Sequence, residues 1–131
     1  MNALPVTGLY AGLLAFVLLW LSIAVIGHRR RARVSLGTGE DKGLLQATRA
    51  HGNFCEYAPF CLILLALLEA GGASAWLLHG LGLLLLVGRV AHGAGLMHQP
   101  KSFLLRQVGM LATFTVLGLG GVILAARSLP G

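Results

Sequence analysis

Charge is what this chain has least of. Only 11% of its 131 residues are charged, and four of them are acidic. Hydrophobic residues make up 56%. A soluble fold of this size cannot cover so much apolar side chain with so few ionised groups. Cysteine is scarce as well, with Cys55 and Cys61 alone. On one helix they would point about 240° apart round the wheel, so they cannot pair with each other. No disulfide framework and no oxidising compartment are implied. The five histidines form no H-x-x-x-H, and no His/Cys pair at ligand spacing is read, so a metal centre is not expected. Gly37 and Gly39 lack the rest of a phosphate-binding loop, and no Ser/His/Asp set suggests a hydrolase.

What the chain does have is long apolar runs. Residues 4–26, 44–68, 73–95 and 103–126 each approach or exceed the ~20 residues that carry a helix across a ~30 Å hydrocarbon core. The expected fold is all-α: a four-helix transmembrane bundle forming one domain over residues 1–131. The first run has no positive segment before it and is too long for a cleaved signal, so it reads as a span.

Three connections join the four spans. The first, His28–Gly43, carries Arg29, Arg30, Arg31, Arg33 and Lys42 against Glu40 and Asp41. The second, near Glu69–Ser74, has no base. The third, Met97–Ser102, carries Lys101, with Arg89 and Arg106 flanking it. The positive-inside rule puts the first and third in the cytoplasm and both termini outside. Arg127 is the one dissenting base, and Trp76 falls at the outer interface, where an indole settles. The net charge of +6 therefore reports topology rather than nucleic-acid binding. In a bacterium the chain would sit in the inner membrane.

Glycine is frequent within the spans: Gly8 and Gly12 in the first, Gly80, Gly82 and Gly88 in the third, Gly118, Gly120 and Gly121 in the fourth. Small residues let helix backbones approach in lipid, either within the bundle or between subunits. Pro59 withdraws an amide donor from the carbonyl of Cys55 and predicts a bend in the second helix.

The anomaly is RAHGNFCEYAP, residues 49–59. Arg49, Asn53 and Glu56 fall within roughly 40° of a common line on a helix, making a polar stripe about 10 Å long. Cys55 points away from it. Intramembrane ionisable groups face partners or water. A purely structural Arg–Glu network is one reading. The topology favours another, because four helices send Arg29, Arg49, Asn53, Glu56, Arg89, His92 and Arg106 toward one level of the bilayer. Such a basic pocket with one carboxylate suits a small molecule bearing several anionic groups and an ammonium. Arginine forks would take the carboxylates, and Glu56 the amine.

These residues also carry a resemblance. R-x3-N-x2-E-Y-x-P, as Arg49, Asn53, Glu56, Tyr57 and Pro59, is similar to the second-helix signature of the MAPEG superfamily, membrane-associated proteins in eicosanoid and glutathione metabolism. The loop residues Arg29, Arg30, Arg33, Val34 and Ser35 resemble its leukotriene C synthase branch, and Arg89 with His92 matches a third-helix R-x2-[YH]. The resemblance implies a homotrimer binding glutathione between subunits near the cytoplasmic face. Arg29, Arg49, Asn53, Glu56, Tyr57, Arg89 and His92 would bind the tripeptide. Arg106 would stabilise its thiolate for attack on a hydrophobic electrophile or a lipid hydroperoxide. Leu96 stands where relatives often carry tyrosine, and Arg106 lies about three residues further from Arg89 than in that branch. A non-catalytic lipid- or partner-binding member of the fold is the alternative. A four-helix drug exporter fits poorly, because Arg49 beside Glu56 would repel a cationic drug.

Overall fold

A computed structural model describes residues 3–98 and 101–131. It contains four helices: α1 (Pro5–Ala32), α2 (Lys42–Ala70), α3 (Ala75–Met97) and α4 (Phe103–Ser128). All four are long and apolar enough to cross a membrane. Part of the third connection, residues 99–100, lies outside the described residues. The apolar runs locate the helices, but α1 extends past its run. Arg29, Arg30 and Arg31 form its last turn, since arginine ends hydropathy without ending a helix and its charge suits the C-terminal dipole.

The helix starts are local chemistry. Asp41 accepts from the Leu44 amide at 2.7 Å, Ser102 from Leu105 at 3.1 Å and Ser74 from Leu77 at 3.4 Å, each an N-cap satisfying an otherwise unpaired amide. α1 is the exception. Pro5 sits in its first turn, but Leu4 has no side chain to cap with. The cap comes from the far end of α2, where the Glu69 carboxylate receives the amides of Val6 at 2.8 Å and Thr7 at 2.7 Å. Arg127 of α4 in turn donates to the Gly71 carbonyl at 2.7 Å. Pro59 lies inside α2, and the helix runs on continuously on both sides of it.

The helices alternate in direction, and α2 and α3 form the middle of the bundle. α1 packs on both, α4 packs on both, and α1 and α4 do not meet among the described residues. Leu14, Leu21, Leu65, Leu68, Leu85 and Cys61 fill the shared core. Outward surfaces are as apolar as the interior: Phe16, Leu19 and Ile23 on α1, Leu104, Leu111 and Val122 on α4 are all exposed. In water this would be an aggregation surface; next to lipid or another subunit it is ordinary.

The glycines divide between these two environments. Gly12, Gly80, Gly118 and Gly121 face open space. Gly82 lies under the ring of Tyr10, and Gly88 against α4. Two that the sequence reading passed over, Gly95 and Gly109, complete the α3–α4 contact. A Cβ on Gly95 would lie 2.7 Å from that of Leu105, and one on Gly109 would lie 2.7 Å from that of His92. That close approach brings α3's polar residues against the start of α4.

Candidate functional site

α2 does present the polar stripe. Arg49 Nη2 lies 3.4 Å from Glu56 Oε1, two turns along one helix face, with both side chains more than half exposed. Gly52 leaves room beneath the pair, since a Cβ there would come within 3.2 Å of Arg49 Nη1. An exposed ion pair within one helix contributes little to stability and ties no helices together. The helix-to-helix link is made instead by Arg89.

Arg89 is 1% exposed. Its Nη2 donates to Asn53 Oδ1 at 2.5 Å, and its Nη1 donates to Thr113 Oγ1 at 3.3 Å. The Phe54 ring lies 5.9 Å from its guanidinium carbon. One arginine on α3 thus holds side chains of α2 and α4 through its two Nη groups, while its buried Nε has no hydrogen-bond partner among the described residues.

Beside this link opens a cavity of about 330 Å³. α2 supplies Leu45, Gln46, Arg49 and Asn53, α3 supplies His92 and Leu96, and α4 supplies Arg106. His92 is 5% exposed and its Nδ1 has no hydrogen-bond partner. Arg106 is exposed, with its guanidinium 5.9 Å from the centre of the Phe103 ring. Two guanidinium groups and two side-chain amides around one cavity, with the His92 ring beside them, make a receptor for oxygen anions.

The structure therefore brings Arg49, Asn53, His92 and Arg106 to one cavity. Glu56 stands one ion pair away from it. Arg89 lies behind Asn53. Arg29 turns to its own loop, donating to the Gly37 carbonyl at 2.7 Å, and Tyr57 packs edge-on against Phe114 with ring centres 5.6 Å apart. Three contributors escaped the sequence reading. Gln46 lies one turn before Arg49 on the same face, a visible signal. Leu45 carried none. Thr113, two turns beyond Arg106, meant nothing without the α3–α4 contact. A His/Cys pair was also overlooked: His51 Nδ1 and Cys55 Sγ, one turn apart, approach to 3.9 Å. Among the described residues no three metal-ligating side chains cluster.

A family model described as the MAPEG family matches residues 7–126, all four helices. The chain belongs to the MAPEG family. Among curated proteins it is similar to inner membrane protein YecN of Escherichia coli strain K12, with 39% identity over 112 residues, covering 86% of this chain and 84% of that protein. The protein of the same name from Escherichia coli O6:H1 matches to the same extent. No solved structure matches the chain. Membership accounts for the four-span bundle and for the second-helix signature being intact. A fold does not fix a function, so the cavity's own chemistry has to argue what it does.

Proposed function

We propose that this MAPEG protein is a membrane-bound glutathione transferase that can also use the same thiolate as a peroxidase. It would conjugate hydrophobic electrophiles, or reduce lipid hydroperoxides, that arrive through the bilayer. The observation that carries the reading is the gathering of Arg49, Asn53, His92 and Arg106 on one cavity beside apolar Leu45 and Leu96. Glutathione has two carboxylates, one ammonium and one thiol. In this reading Arg49 and Asn53 would meet carboxylate oxygens, and Glu56, the next member of their stripe, would receive the amine. Arg106 would hold the thiol as thiolate: a free thiol titrates near ~8.5, and a neighbouring guanidinium favours the anion.

In this reading the site faces the cytoplasm, following the basic first and third connections. The protein works as a homotrimer whose contacts cover the apolar faces and outward glycines of the helices, and a neighbouring subunit closes the exposed Arg49–Glu56 side of the cavity. Arg29 and Tyr57, which lie off the cavity within one protomer, would contribute from that side.

Calorimetric titration of the detergent-solubilised protein with glutathione tests the proposal. Wild type is expected to bind, and Arg49→Ala to bind roughly 10- to 100-fold more weakly, the worth of one charge-assisted hydrogen bond. Folded wild type that takes up no glutathione would sink it. Leu96 on the cavity wall favours the second reading, a non-catalytic binder of lipid. That reading predicts lipid displacement from the cavity and no conjugation of any electrophile.

A further inference from the structure

Arginine and lysine side chains only donate hydrogen bonds. That restriction decides which way two amides on the cavity wall are turned. Asn53 meets Arg89 Nη2 at 2.5 Å, so the atom it offers Arg89 is its carbonyl oxygen. Gln46 meets the Lys101 ammonium, so again the oxygen is taken. Both amides are left with their NH2 groups for the cavity. With Arg49 and Arg106 beside them, four of the cavity's polar side chains present donors, set among apolar Leu45 and Leu96.

The Asn53 half of this arrangement has a support reaching a third helix. Thr113, fully buried, donates its hydroxyl proton to the Gly109 carbonyl at 2.9 Å. Its oxygen lone pairs then face Arg89 Nη1 at 3.3 Å. The guanidinium is planar and rigid, so fixing Nη1 on α4 aims Nη2 at α2. We infer that Thr113 and Arg89 are positioning residues that hold the Asn53 amide with its NH2 toward the cavity, so that the site selects ligands by an anionic oxygen at that point. The inference rests on the glutathione reading for the identity of the ligand, though not for the geometry.

The chain's asparagines are Asn2 and Asn53, so selective ¹⁵N-asparagine labelling yields two side-chain amide pairs, assigned by Asn2→Asp. In full-length protein without ligand, Thr113→Val should broaden or shift the Asn53 pair, and Thr113→Ser, which keeps the hydroxyl, should leave it as in wild type. An Asn53 pair unmoved by Thr113→Val overturns the relay, whatever glutathione does. With glutathione, Thr113→Val should raise Kd and KM about fivefold to tenfold, the worth of one misdirected hydrogen bond, and leave kcat at saturation unchanged. Equal Kd in both variants overturns the selective role. Asn53→Asp serves where Thr113→Val does not fold: it keeps an acceptor for Arg89 and removes the donor. It should lose glutathione binding at least tenfold, and wild-type affinity in that variant also overturns the inference. If wild type binds no glutathione while the amide responds to Thr113→Val as described, the functional reading fails and the relay stands.

Discussion

A Cβ placed on Gly109 would lie 2.5 Å from the carbonyl oxygen of Gly88. At this point α3 and α4 touch backbone to backbone, as they do again where Gly95 meets Ser102 and Arg106. His92 reaches the cavity, and Thr113 reaches Arg89, because nothing larger than hydrogen stands between the helices.

Gly109→Ala should therefore push α4 off α3. Overpacking of this kind costs about 1–3 kcal/mol, read as a lower thermal midpoint in detergent. Because Arg106 lies less than one turn earlier on α4, ligand affinity should fall as well. Gly118→Ala, at a position facing open space, should leave the separate protomer at least as stable as wild type, since alanine favours a helix over glycine.

Arg106→Ala should raise the pH at which conjugation becomes fast. If Arg106 holds the thiolate as proposed, the anion would persist below the free-thiol value near ~8.5. Removing the guanidinium returns the thiol toward that value, a shift of ~1–3 units for loss of a close opposite charge. The rate at pH 7 should drop at least tenfold and recover as pH approaches 9. Stopped-flow or steady-state conjugation of a chromogenic electrophile across pH 6–9 measures this, and parallel profiles for both proteins would refute the role.

Cys55 is exposed and Cys61 is buried. A maleimide should label Cys55 in the folded protein and reach Cys61 only after denaturation, as mass spectrometry would count. The stripe turns away from Cys55, so Cys55→Ser should conjugate glutathione at the wild-type rate. Loss of turnover in that variant would mean the protein's own thiol takes part.

Glu69→Gln should destabilise the end of the bundle away from the cavity. Two amides of α1 lose a charged acceptor, a change of about 1–2 kcal/mol by analogy with N-cap deletions. Hydrogen exchange should rise at Val6 and Thr7 and stay as in wild type at Arg49 and Asn53. Exchange rising equally at both ends would show that the cap governs the whole bundle.

The spans were legible because lipid demands long apolar helices and little else supplies them. The stripe on α2 was legible because Arg49, Asn53 and Glu56 follow one helical period, and the same period extends to Gln46. Arg89 was harder. Its spacing before His92 marks it as notable, but its burial between Asn53 and Thr113 follows from the α3–α4 approach, which no single-helix pattern contains. Arg29 is expected at the pocket from its level in the bilayer, yet within one protomer it donates to the Gly37 carbonyl, a loop contact that no helical period contains. Glu69 reads as a charge in a short connection, since its partners are amides more than sixty residues earlier. Periodicity thus locates residues on faces, and contacts between distant segments decide which of them meet.

That last carboxylate bears on how the protein is made. The opening turn of α1 emerges from the ribosome first, yet the acceptor for its amides is synthesised 63 residues later. Until then those amides can be satisfied only by water or headgroups. The first helix is finished by the second, so the two are a natural unit of membrane insertion: a hairpin whose closing contact joins its beginning to its end.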